Sequence, residues 1–242
     1  MTIENRLKEI WSEDYISSLP AIIKERGYAF ADNVQRDILI IGFNPSFREE
    51  DPTNVVHGPI ENIWNNEKYD NYWSPIKKML HNGEIDLRNR ADYLDIFYFK
   101  EQEQSFLREN ILSNPNGVRF VVDQLNLTMH IIEDIVKPKL LIVKNKEAQT
   151  YFGKLEWVWM GYEFEHIQDF AYGELCRISG LKDSKERIAP EITQSNIVGS
   201  YAFFTQHINQ YVAIDKRATP QMLKAILDLY DAESYVSQFA IK

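Results

Sequence analysis

A three-layer α/β/α domain with a central, mainly parallel four-stranded sheet is the fold class this sequence predicts, on three observations. Four short apolar segments, at residues 38–43, 93–98, 139–144 and 200–205, read as strands buried on both faces. Segments of helical periodicity lie between them and are long enough for parallel crossover connections. No repeat, low-complexity tract or linker divides the 242 residues, a length that suits one domain spanning 1–242.

Residues 3–11 and about 13–26 have helical spacing, with Ile16, Leu19, Ile22 and Ile23 on one face and Gly27 as a stop. With the chain up to residue 36 they form an N-terminal helical extension. The run Ile38-Leu39-Ile40-Ile41 then ends in Gly42-Phe43-Asn44-Pro45-Ser46. Residues 46–70 are polar and rich in Asn, Asp and Pro, which predicts a long loop with short helical turns. "YWSPIKKML" reads as a helix capped by Ser74 ahead of Pro75. "ADYLDIFYF" (91–99) is the second strand, and a long helix is expected over 117–136. "PKLLIVKN" (138–145) is the third strand, followed by a short helix closed by Gly153. Residues 155–195 form an insertion with two strands outside the main sheet, "WVWMGYEFEHI" and "ELCRISGL". The fourth core strand lies within 196–209, and a last helix runs from a Thr219 cap to about Leu229.

Apolar residues at 44% and charged residues at 26% are ordinary for a globular chain that builds its core without staples. A single cysteine, Cys176, excludes a disulfide framework, a four-thiolate zinc site and a cysteine-held iron–sulfur cluster. Its expected role is that of a small buried hydrophobe. The charged N-terminus lacks a signal peptide's apolar stretch, and no run of about 18 apolar residues occurs. A cytoplasmic protein with no membrane association is expected. A formal net charge of −9 counts against broad adhesion to nucleic acid. Lysines nevertheless cluster locally at 137, 139, 144, 146 and 154, against the single acid Glu147; for any one of them, a solvated side chain beside a strand is the more ordinary reading.

No G-x-G-x-x-G, P-loop, H-E-x-x-H or G-x-S-x-G occurs, so no cofactor is expected. The histidines stand at 57, 81, 130, 166 and 207, none at a ligand spacing from another, and no metal site is expected. The chemistry that remains sits at strand ends: Asn44-Pro45-Ser46, Asp95 with Phe97 and Tyr98, and Gln206-His207. In a parallel sheet these share the carboxyl edge, where ligands bind. Each also has an ordinary local explanation, since Asn-Pro is a common turn pair and Asp95 could simply pair nearby.

In this order along the chain, "IGFNPS" resembles the first motif of the uracil-DNA glycosylase superfamily, nearest its mismatch-specific and single-strand-selective branches. "DNYWSPIKKML" is similar to the segment that follows that motif. "YLDIFYF" resembles the second strand, and "KPKLLIVKNKEAQTYFG" the third strand with its helix. The resemblance covers residues 37–100 and, more thinly, 138–153. Two positions depart from the family's pattern. The last motif, typically His-Pro-Ser-Pro or Asn-Pro-Ser-Gly, is here "TQHIN", and Asp95 stands where the family has a uracil-reading asparagine.

The resemblance implies a uracil-DNA glycosylase-like fold and a hydrolase of base-excision DNA repair, cleaving the N-glycosidic bond of a deaminated or modified base. Asn44 would position the attacking water, with Pro45 stiffening its turn, and His207 would donate to the leaving base. Phe47 or Phe97 would stack on the base, with Ser46 beside it. Lys144 and Lys146 on one side, and Lys216 and Arg217 on the other, would meet phosphates of single- or double-stranded DNA. An ionised Asp95 only accepts hydrogen bonds, so it favours an edge bearing an amino group beside a ring N–H over the O4 of uracil. Two other readings stay open: a catalytically inactive member of this fold that binds a nucleobase, nucleotide or protein, and an unrelated α/β hydrolase or transferase.

Overall fold

The computed structural model describes residues 2–155, 157–208, 211–213 and 216–239. In chain order its elements are α1 (Ile3–Ser12), α2 (Ala21–Arg26), β1 (Ala29–Ala31), β2 (Ile38–Gly42), β3 (Val55–His57), α3 (Glu61–Trp64), α4 (Trp73–Leu80), β4 (Ala91–Asp95), α5 (Gly117–His130), β5 (Leu140–Val143), α6 (Lys146–Phe152), β6 (Tyr162–Phe170), β7 (Gly173–Leu181), β8 (Tyr201–Thr205) and α7 (Pro220–Phe239).

The four expected core strands are adjacent and parallel, in the order β4-β2-β5-β8. Ile38 stands opposite Ala91 on one side and Leu140 on the other. Every residue of β2, β5 and β8 is buried, which is why these strands read as continuous apolar runs. Their alternate side chains enter two cores. Leu39, Ile41, Leu141, Val143 and Phe204 join α1, α5 and α6 through Leu7, Phe120, Val121 and Phe152. Ile38, Ile40, Leu140, Ile142 and Phe203 meet α4 and α7 through Ile76, Leu80, Leu223 and Leu227. Helices therefore cover both faces of the sheet.

Several expectations are corrected. The sheet has six strands, because the hairpin placed outside it extends it: β7 pairs antiparallel with β8, and β6 with β7. β8 is buried throughout and would otherwise hold a row of unpaired backbone groups out of water. The polar residues that suggested a separate unit lie on β6, where exposed Glu163, Glu165, His166 and Asp169 guard the outer edge. The stretch 46–70 holds β3, paired in parallel with β1, as well as α3; three-residue strands carry too little pattern to read. Pro20 divides the expected helix over 13–26 into a 3₁₀ turn, Asp14–Ser18, and α2. β4 ends at Asp95, and the chain beyond it turns toward β1, where Ala29 N–H donates to the Tyr98 carbonyl at 2.9 Å. The helix over 117–136 is present, but its last stretch, Ile131–Val136, is π-helical. Finally, α7 continues past Leu229 to Phe239.

Candidate functional site

Gly42 closes β2 opposite Asp95 at the carboxyl edge of the sheet. A Cβ built there would overlap both the Tyr93 hydroxyl and Asp95 Oδ1, so only glycine leaves room for that pair. The next residue, Phe43, turns into the core against Phe97. Asn44 then emerges with its amide fixed: Nδ2 donates to the Pro45 carbonyl at 3.0 Å and to the Glu101 carbonyl at 2.7 Å. Both partners are carbonyls, so the amide can face only one way. Its Oδ1 is left without a partner among the described residues.

Asp95 ends a chain of hydrogen bonds that begins in the interior. Lys144, only 1% exposed at the end of β5, donates through Nζ to the Tyr72 hydroxyl at 2.6 Å. The Tyr72 hydroxyl contacts that of Tyr93, which donates to Asp95 Oδ1 at 2.7 Å. Tyr93 and Asp95 share a face of β4 through the two-residue strand period. Tyr72 is held at the start of α4 by Asp70, whose Oδ1 accepts from the N–H groups of Tyr72 and Trp73, each at 2.8 Å. Asp70 is thus the capping side chain. The expected cap, Ser74, instead accepts from the Asp70 N–H at 2.9 Å.

Burial pushes the Asp95 carboxyl up to about 6, although the Tyr93 hydrogen bond and the Lys144 charge both favour its ionised form. Burial pulls Lys144 down to about 8, with the Asp95 charge opposing. Burial also holds both phenols above their ordinary range, and the nearby Asp95 charge adds to the effect. His207 is lowered, by burial first and then by repulsion from Lys144.

Asn44, Ser46 and Asp95 line one cavity of about 680 Å³ beyond the strand ends. Its aromatic walls are Tyr72, Trp73, Tyr93 and Tyr98, with Arg48 and His57 also on its lining. Trp73 packs edge-on against Tyr93, with ring centroids 4.8 Å apart. Of these walls the sequence pointed only to Tyr98; Tyr72, Trp73 and Tyr93 were missed, and the alternation of Tyr93 with Asp95 was the local signal that could have found Tyr93.

The remaining expected site residues lie elsewhere. His207 does not line the cavity; it sits against Tyr72, with ring centroids 6.5 Å apart. Neither expected stacking residue faces the cavity. Phe97 is fully buried between Phe43 and Tyr151, and Phe47 lies outside, under the Arg26 guanidinium at 4.2 Å. Of the expected phosphate contacts, Lys144 is enclosed, bonded to the Tyr72 hydroxyl, and cannot reach a strand outside. Arg217, 8% exposed, donates to the Val212 carbonyl. Lys146 and Lys216 are exposed. Cys176 is buried, and burial pushes its thiol up to about 11. Among the described residues no group of three metal-ligating side chains occurs, and no helix is long and apolar enough to cross a membrane. Comparison of the chain with protein-family models, curated proteins and solved structures gives no match.

Proposed function

We propose that the cavity receives a nucleobase turned out of a DNA strand and that the protein hydrolyses its N-glycosidic bond. The observation that carries this reading is that Asp95 and Asn44 line one aromatic-walled cavity and that Asp95 Oδ2 and Asn44 Oδ1 have no donor among the described residues. A planar heterocycle suits such walls; the open Asp95 oxygen calls for an edge bearing N–H donors, and the open Asn44 oxygen is left for a water. Unstacking the base costs a few kcal/mol, which the aromatic contacts offset in part. Asn44, immobilised through its amide N–H groups, offers Oδ1 to orient an attacking water; the water oxygen bonds the sugar carbon as the C–N bond breaks, and the water's proton passes to the departing base.

The test is release of base from oligonucleotides carrying one modified or deaminated base each, single- and double-stranded. Cleavage of at least one substrate is expected, with Asn44→Ala slower by about a hundredfold or more and binding less affected. No cleavage across the panel defeats the hydrolase reading. A second reading, a binding site for a free nucleobase or nucleotide, is favoured by the burial of Lys144 and Arg217, which removes two of the four cations expected to grip a strand. Binding of small bases with no oligonucleotide affinity at low salt would establish it.

A further inference from the structure

We propose that Lys144, Tyr72 and Tyr93 form a proton relay to Asp95, and that a planar base filling the cavity draws the Lys144 proton onto Asp95. The ligand-driven step rests on the nucleobase reading above; the relay itself does not. Counting donors fixes its direction. Tyr93 has one hydroxyl proton and gives it to Asp95 Oδ1. Between the two phenols the donor must therefore be Tyr72, whose oxygen accepts from the Lys144 ammonium. Every proton leans toward Asp95. No direct ion pair joins Lys144 to Asp95 among the described residues; the two hydroxyls stand between them.

The transfer balances. Lys144 gives a proton to Tyr72, Tyr72 gives its own to Tyr93, and Tyr93 gives its own to Asp95 Oδ1. Three O–H or N–H bonds break and three O–H bonds form. Lys144 ends as a neutral amine and Asp95 as a neutral acid, while both tyrosines are unchanged. The same contacts persist with donors and acceptors reversed, so no hydrogen bond is lost.

Asp95 is part-buried on the cavity lining, so solvent reaching the free oxygen there favours the charged form, against the burial that raises its pKa. A base that displaces this water returns N–H donors to Oδ2 but not a full hydration shell, so the two separated charges face a lower dielectric and their annihilation becomes more favourable. Tyr98 lies near Asp95 and His207 near Lys144; burial keeps the first protonated and favours the neutral form of the second. Arg48, Asp51, His57 and Asp70 also line the cavity that Asp95 faces, and burial favours neutral His57; none of them is a link in the hydrogen-bond chain from Lys144 to Asp95. Toward the ligand, Asp95 remains an acceptor through Oδ2 but no longer a charge. A base gathering negative charge as its glycosidic bond breaks is then not repelled. Lys144 is in this sense a positioning residue that acts through Asp95.

Isocytosine, which presents an amino group beside a ring N–H and has no glycosidic bond, is the probe, with uracil for comparison. At pH 7, saturating the wild-type protein with isocytosine is expected to produce a carboxylic-acid carbonyl band in the infrared that is absent from Asp95→Asn. Calorimetry in buffers of different ionisation enthalpy should show no net proton exchange for wild type. Lys144→Met, with no internal donor, should take up about one proton per base bound when the titration is run at a pH above its own Asp95 midpoint, as fixed by carboxyl NMR on the free variant. Binding without the acid band, or no uptake by Lys144→Met, overturns the ligand-driven transfer. If neither base binds, the nucleobase reading and that transfer fall together. The relay is then judged without ligand, from the Asp95 titration followed by carboxyl NMR. Tyr93→Phe and Lys144→Met should each raise its midpoint, and an unchanged midpoint in both overturns the relay.

Discussion

A methyl group at position 42 would occupy the space taken by the Tyr93 hydroxyl and Asp95 Oδ1. Gly42→Ala is therefore expected to cost about 1–3 kcal/mol in urea denaturation, as overpacking does, and to abolish isocytosine binding. Asp95→Asn tests recognition instead of packing. A carboxamide both donates and accepts, so the variant should shift the uracil-to-isocytosine affinity ratio toward uracil by about tenfold or more, a gap of ~1.4 kcal/mol measurable by calorimetry. Asn44 and Asp95 were legible in the sequence because each stands where an apolar strand stops. Lys144 was not. A lysine following a strand looks the same whether solvated or enclosed, and what encloses this one is a phenol 72 positions earlier. Phe97 misled for another reason: the two-residue period that would put it on the face of Asp95 stops with β4 at Asp95, and beyond that point the chain turns and carries the ring into the core.

At the scale of elements, the entry to α4 has two duties. Asp70 satisfies two helix N–H groups and thereby sets Tyr72 and Trp73 against Tyr93. Asp70→Ala should cost about 1 kcal/mol of stability, as lost caps do. Its effect on isocytosine affinity should exceed what that loss explains, with the urea midpoint and Kd measured on the same preparation. The four core strands could be read because burial on both faces writes a continuous apolar run. The hairpin β6–β7 could not be assigned to the sheet, because its charged edge strand carries the composition of a surface unit. The ribbon of β1 and β3 fell below the length at which a period of two can be recognised.

For the whole molecule, the relay makes stability depend on pH through two opposed groups. Asp95 binds its proton more tightly in the fold than in the unfolded chain. Its contribution is complete below about pH 4 and is lost as pH rises through about 6. Lys144 binds its proton less tightly in the fold. Its contribution is complete above an ordinary lysine's 10.5 and is lost as pH falls through about 8. Between about 6 and 8 the fold carries both charges at a cost. The double variant Asp95→Asn/Lys144→Met should accordingly be more stable than wild type at pH 7, by about 1–4 kcal/mol. The advantage should narrow toward pH 4, where Asp95 is neutral in the wild type. Urea denaturation at the two pH values checks this, and equal advantages at both would show that the carboxylate is not the source.

Tyr72, the Tyr93–Asp95 pair and Lys144 arrive from three separate stretches of chain, and β5 must dock beside β2 before the last of them is in place. A chain halted after β4 holds its acidic and phenolic groups but no counter-cation, and its Asp95 is an ordinary solvated carboxylate. Loop closure makes such distant pairings the slow events of folding, whereas helices form early. Affinity for a base should therefore return during refolding with closure of the β2–β5 seam, well after helical signal has recovered, so that recognition doubles as the chain's own report that its sheet is complete.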